Sequence, residues 1–454
     1  MLTRFWIVSL LAIAPVRPAV SQTSPDIQKV LDRLDKLEDE NRMLLDEIHA
    51  LRGELEQVRA TAPATPPTEA GTAAAVPVEE RLEVEENRTA ELAQSKVEAS
   101  QKLPVSLTGM LLFNSFINGR YGGTGEDPVA AGANAASATS GATLRQTVLG
   151  LKFNGPDILW GGKASGSLYM DFFSGSLTPS SNLLRIRVAT LDLAWKNTTL
   201  TVGQDKPIIS PREPMSLAQV GVSPLTGAGN LWVWQPQARI EQRFSFGENT
   251  GLRAQAGVYQ TSENYPSALP TEYAATLGRT RPGYEGRFEF YHGSENRRIE
   301  IAPGFHVSDT RVAGTSVPSR IASLDWLYKP TALVEFSGEF FRGRNVAVLG
   351  ARQGFNILAN GAAIPVRAAG EWGQVALFPA SRLSLHFYAG SEQDRGSDLI
   401  PGGVTMNLVY AGNLIYKLAP NVLAAFEASQ ARTQFLNSML RLNNHYDLAL
   451  AYLF

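Results

Sequence analysis

From Pro104 onward the chain alternates apolar and polar side chains with a period of two, and it does so as far as Phe454. In the stretch 237–244, Ala238, Ile240 and Phe244 alternate with Gln237, Arg239, Glu241 and Arg243. In 252–259, Leu252, Ala254, Ala256 and Val258 alternate with Arg253, Gln255, Gly257 and Tyr259; in 284–291, Tyr284, Phe288 and Phe290 alternate with Glu285, Arg287 and Glu289. Successive side chains of a strand point to opposite faces, so each stretch predicts a strand with one greasy and one charged face. A soluble sandwich has to cover the greasy face with a second sheet. A membrane barrel turns it to lipid and keeps the charged face for a wet lumen.

The connections decide between these two. Short turns fall at about 155–162, 197–198, 246–250, 293–296, 330–331, 379–381 and 419–420. Long loops fall at about 119–143, 174–183, 207–233, 262–282, 308–318, 344–364, 391–402 and 432–443. Long and short alternate throughout, as they do in transmembrane barrels with short periplasmic turns and longer outer loops. The fold class expected is therefore all-β: an antiparallel transmembrane barrel of about sixteen strands spanning 103–454, its third long loop at about 207–233. The alternation blurs at 185–195 and 366–377, which leaves the count uncertain by two.

The first hundred residues are a different object. Residues 1–102 carry 12 Lys and Arg against 18 Asp and Glu, whereas the remainder carries 29 against 25. Arg4 and the short apolar run 5–14 form a signal-peptide pattern, with small residues at 19–21 for cleavage. That run is far below the ~20 residues a membrane helix needs. Residues 22–60 predict an α-helical coiled coil. Its a positions are Ile27, Leu34, Asn41, Ile48 and Leu55, and its d positions are Val30, Leu37, Leu44, Leu51 and Val58. A seam this narrow is buried only against another helix, so self-association is expected; the mixed aliphatics do not choose between dimer and trimer. Residues 61–102 read as a linker, first rich in Ala, Thr and Pro, then charged.

The last stretch alternates Tyr446, Leu448, Leu450, Tyr452 and Phe454. It resembles the C-terminal signature by which the outer-membrane assembly machinery recognises its clients. The whole arrangement of signal peptide, coiled coil, linker and barrel resembles the DcaP-like porins. The most distinctive stretch is Thr201-Val202-Gly203-Gln204-Asp205-Lys206-Pro207, then Ser210-Pro211 and Ala228-Gly229-Asn230-Leu231, which looks like the strand leading into an inward-folded third loop. The resemblance implies an outer membrane of a Gram-negative bacterium, with the coiled coil in the periplasm. It further implies a homotrimer and passive passage of small hydrophilic, anionic solutes.

Charge placement is consistent with such a lumen. Parity sends Arg239, Arg243 and Arg253 inward with Glu241 among them, and Arg185 and Arg187 join them if the blurred register holds. Lys206 and Arg212 flank the start of the third loop beside Asp205 and Glu213. Glu285, Glu289, Glu335 and Glu339 suggest a more acidic wall elsewhere. A modest anion preference, for small carboxylates in particular, follows. The chain has no cysteine and only five histidines, and neither G-x-S-x-G nor H-E-x-x-H occurs, so no enzyme, metal or cofactor is expected. The near-neutral total gives no field for nucleic acid. The alternative is a structural or adhesive barrel with a coiled-coil tether.

Overall fold

Sixteen antiparallel strands pair in sequence order and close on themselves in the computed structural model. They are β1 (Val105–Asn118), β2 (Val148–Ile158), β3 (Gly162–Ser174), β4 (Leu183–Ala194), β5 (Thr198–Asp205), β6 (Gln235–Ser245), β7 (Thr250–Tyr259) and β8 (Gly283–Ser294), then β9 (Arg297–Val312), β10 (Thr315–Thr331), β11 (Val334–Arg344), β12 (Arg367–Ala380), β13 (Leu383–Asp394), β14 (Val404–Ala419), β15 (Val422–Phe435) and β16 (Leu440–Leu453). The structure describes residues 105–123, 125–174, 182–261, 282–312, 315–358 and 360–454. The signal segment, the heptad seam and the linker lie outside the described residues. No described helix is long and apolar enough to cross a membrane.

β1 is the closing strand. It pairs with β16 from Met110↔Leu453 to Asn118↔His445, and Gly109 and Phe454 extend the ladder by exchanging backbone hydrogen bonds of 2.9 and 3.2 Å. On its other side β1 pairs with β2, and higher up with a short strand, Thr139–Thr143, that continues the same stave. The break between the two pieces turns Arg145, Gln146 and Thr147 into the interior, where all three are buried. Full closure leaves no sheet edge, as lipid requires.

The period of two resolves into an outside and an inside. Ile240, Phe244, Leu252, Val258, Tyr284, Phe288 and Phe290 face out, while Gln237, Tyr259, Glu285, Arg287 and Glu289 face in and are buried. On β16 the row Tyr446, Leu448, Leu450, Tyr452 and Phe454 faces out, and Asn443, His445 and Asp447 face in. Apolar side chains exposed over so much of the wall need lipid as their solvent.

Two of the expected long loops are not long. β9 runs to Val312 and β10 resumes at Thr315, across most of 308–318; β15 and β16 leave only residues 436–439 between them. Both strand pairs climb beyond the apolar belt. On β9 and β10 the outward side chains there become polar, as at Asp309 and Arg311, and the greasy half of the alternation disappears while the ladder continues to Val312↔Thr315; on β16 Leu440 and Leu442 still face out. The packed core sits inside the barrel. Leu217 packs with Leu112, Ile415, Ala425, Ala449 and Ala451; Leu225 and Ala228 pack with Trp372, Tyr388 and Val409; Ile209 and Leu231 pack with Phe341, Val346 and Leu349. Each cluster joins the wall to residues between β5 and β6.

Candidate functional site

Residues 206–234 fold into the lumen and run around its inner wall. The Ile208 N–H donates to Glu285 on β8 at 2.7 Å, and the Ser210 hydroxyl donates to Glu339 on β11 at 2.6 Å. Arg212 bonds Asp325 on β10 at 3.2 Å and also pairs with Glu300 on β9. The Met215 N–H donates to Gln374 on β12 at 2.7 Å, and Asn413 on β14 donates to the Met215 carbonyl at 2.7 Å. The Ser216 hydroxyl donates to Glu427 on β15 at 2.6 Å, and Asn114 on β1 donates to the Leu217 carbonyl at 2.8 Å. Gln146 takes the N–H groups of Val220 and Gly221 at 2.6 and 2.8 Å and donates to the Ala218 carbonyl at 2.8 Å. Arg185 on β4 donates to the Gly221 carbonyl at 2.6 Å. Within fourteen residues, 208–221, the loop has touched most of the circumference; it is an inner belt.

The local sequence explains why this segment neither coils nor joins the sheet. Pro207, Pro211, Pro214 and Pro224 remove backbone donors and fix φ. A buried loop must find partners for the donors that remain, and the wall's Glu, Gln and Asn side chains supply them. The return segment needs glycine: Gly229 has φ 102°, and a Cβ there would collide with the main-chain carbonyls of Glu371 and Ser391. Asn230 ties the turn by donating to the Ser223 hydroxyl at 3.0 Å and the Pro224 carbonyl at 2.7 Å.

The charged residues expected in the lumen are distributed along this belt and the wall beside it. Arg185 and Arg187 both point inward and share Asp171 on β3, at 2.7 and 3.6 Å. Their guanidinium groups also lie 4.9 and 4.8 Å from the ring centre of Trp234, a cation–π sandwich on the last residue of the belt. Arg239 pairs with Asp205 at 2.7 Å, and Lys206 with Glu213 at 2.6 Å across the first bend. Arg253 pairs with Glu289 at 2.9 Å on the next strand. Arg243 is the outlying member: it lies near the turn end, more than half exposed, held by Glu241 at 2.7 Å. Of the acidic residues, Glu335 faces Lys329 at 4.0 Å, while Glu285 and Glu339 are spent anchoring the belt.

Sequence reasoning does not single out Asp171, Arg287, Arg298, Glu300, Asp325, Trp234 or Gln146 as site residues. The strand register would have found one of them, because Asp171 is directly opposite Arg185. Gln146 has no such signal, because its role depends on the break in the second stave.

Burial separates the two signs of charge in three of these pairs. Arg185 is 28% exposed against 0% for Asp171, Arg253 is 26% against 1% for Glu289, and Arg212 is 21% against 1% for Asp325. The carboxylates are sunk in the wall and the guanidinium groups stand over them, facing water. Among the described residues no group of His, Asp and Glu is arranged to hold a metal ion. Below the belt, toward the turn end, a cavity of ≈410 Å³ is lined by Arg212, Glu213, Met215, Glu335, His386 and Lys417.

Neither a family model nor a curated protein sequence matches the chain. Solved structures do. The outer-membrane channel DcaP of Acinetobacter baumannii superposes with a TM-score of 0.65 at 14% identity, over 77% of this chain and 97% of that one. The anion-selective porin from Comamonas acidovorans superposes with a TM-score of 0.54 at 11% identity, over 77% and 99%. In fold, the described part of this chain is therefore a sixteen-stranded antiparallel barrel similar to that of the DcaP channel.

Proposed function

We propose that the protein is an outer-membrane porin for passive diffusion of small hydrophilic solutes, with a preference for anions such as small carboxylates. The observation that carries this is the layering of three ion pairs, Arg185–Asp171, Arg253–Glu289 and Arg212–Asp325, in which the carboxylate is sunk in the wall and the guanidinium faces the water. Pairing does not cancel such a field. A solute in the lumen meets the positive member first and at shorter range, in a passage whose low-dielectric walls focus it. Planar guanidinium groups also match a carboxylate's two oxygens better than an ammonium does. The belt would set the narrow level, because it lies across the lumen at the height of most of these charges. The same reading includes a homotrimer with a periplasmic coiled coil: the two-per-heptad seam supports self-association, and the resemblance to DcaP-like porins supports the number three.

The expected result in a planar bilayer under a KCl gradient is a zero-current potential of the sign for Cl⁻ preference. It should shrink as salt rises and the ~10 Å screening length at 0.1 M shortens. Replacing Arg185, Arg187, Arg239 and Arg253 together by Ala should abolish or reverse it. A cation-selective wild type, or a quadruple variant that behaves like wild type, would overturn the proposed preference; no conductance at all would leave the structural-barrel reading. Native mass measurement of the same preparation should give a threefold assembly, and a monomer would remove that part.

A further inference from the structure

On the outer surface of the barrel, at the loop end, four arginines stand in one row across four adjacent strands. Arg320 on β10 is directly opposite Arg344 on β11, and Arg344 is directly opposite Arg367 on β12. Arg395, one residue past β13, donates its backbone N–H to the Arg367 carbonyl at 2.9 Å and completes the row. Arg342 is the next outward residue below Arg344. The parity is unambiguous: Leu324 and Phe340 on the same face are exposed, whereas Ile321 and Phe341 on the other face are buried in the interior. The arginines line an external groove of ≈500 Å³.

Adjacent strands are about 5 Å apart, and like charges placed directly opposite each other destabilise a sheet. Two acids relieve part of this. Asp309 pairs with Arg320 at 2.9 Å, and Asp398 pairs with Arg367 at 2.6 Å. That hydrogen-bonded pairing holds the Asp398 carboxyl below its usual range, so it stays charged. Among the described residues Arg342 and Arg344 have no ion-pair partner. Glu371 also faces outward, but it sits opposite Phe340, four residues deeper along β12 than Arg367. The row therefore keeps an excess of positive charge that nothing among the described residues neutralises.

We propose that this row is the binding site for a phosphorylated lipid headgroup of the outer leaflet. The site faces away from the lumen, so a permeating solute does not meet it. It lies at the upper boundary of the apolar belt, where headgroups lie. Directly below are the exposed side chains of Leu324 and Phe340, which suit acyl chains. Guanidinium forks bind phosphate oxygens bidentately, and several on neighbouring strands can share one phosphate. A bound phosphate would also turn the repulsion along the row into attraction. The inference rests on the outer-membrane placement proposed above.

The test uses the full chain in detergent, titrated with bisphosphorylated lipid A, with its dephosphorylated form and with inorganic phosphate, and read by native mass spectrometry. Saturable binding of one bisphosphorylated lipid A per protomer is expected, with the dephosphorylated form and free phosphate each bound far more weakly. Arg342→Gln with Arg344→Gln should weaken lipid A binding roughly tenfold or more, since charge-assisted hydrogen bonds are lost. Arg342→Lys with Arg344→Lys should fall between the wild type and the Gln variant, because the charge stays while the bidentate fork is lost. Equal binding of the dephosphorylated lipid, equal binding of free phosphate, or unchanged affinity in the Gln variant would each overturn the proposal. The Gln variant should still show the heat-dependent gel mobility of a folded barrel and wild-type conductance. A wild type that binds lipid A but does not conduct would count against the porin reading and leave this one standing.

Discussion

Replacing residues 207–232 with a short turn should raise single-channel conductance severalfold and move the zero-current potential toward cations. The belt contributes nothing to the closed ladder, which joins β1 to β16 without it, so the barrel should still form. Its removal opens the cross-section that the loop now occupies. It also deletes Lys206's partner Glu213 together with Arg212, and it strips donors from three carboxylates. Glu285 loses the Ile208 N–H, Glu339 the Ser210 hydroxyl and Glu427 the Ser216 hydroxyl. Freed and hydrated, these would face the lumen as anions, which fixes the sign of the shift. Conductance steps and reversal potentials in a planar bilayer read both effects. Unchanged conductance would mean that the narrow level lies elsewhere.

Arg287→Met should be the most damaging single substitution in the charged wall. The side chain is 1% exposed. Its guanidinium grips Asp325 through two bonds of 2.7 and 2.8 Å, reaches Glu289 at 2.7 Å and donates to Gln255 at 3.1 Å. Breaking a buried pair from one side costs about 3–5 kcal/mol, because the remaining charge is stranded in low dielectric. Arg253 and Arg212 still reach Glu289 and Asp325, so the loss should fall near the lower end, about 3 kcal/mol. The urea midpoint of the barrel in lipid vesicles measures it. Neutralising all three residues, with Arg287→Met, Glu289→Gln and Asp325→Asn, should recover most of the stability. A single variant with an unmoved midpoint would contradict this account.

How far the sequence could be read follows from what its alternation measures. Where the wall has lipid on one side and water on the other, as along β6, β7 and β8, parity placed every side chain on the correct face. It blurred along β12 for a physical reason: Ala368, Trp372 and Ala376 face inward but pack against other protein, so the lumen face of that strand lacks charge, while Arg367 and Glu371 face outward. It failed at 308–318, and on the β15 side of 432–443, because strands that rise above the bilayer carry polar residues outward, such as Asp309, Arg311, Arg432 and Gln434, and look like loops. The belt's anchors were beyond reach for a third reason. Asn114 with Leu217 and Ser216 with Glu427 are contacts across 103 and 211 residues of chain, and no local pattern encodes them. The register pairs that would have exposed Asp171 lay one step away, in the alignment of neighbouring strands.

Those same long separations bear on the order of assembly. A contact that spans much of the chain must bear a large loop-closure entropy before it forms. The belt's partners on β1 and β4 are not near those on β14 and β15 until the first and last strands have met. The belt can therefore settle only after the barrel has shut, and the newly closed barrel must pass through a wide-bore stage. Trp234, clasped between Arg185 and Arg187, reports the moment of docking: its fluorescence should change after the gel-mobility shift that marks closure, and a simultaneous or earlier change would refute the order. For a membrane this is a timing problem, since every molecule inserted is briefly a larger hole than the one it becomes.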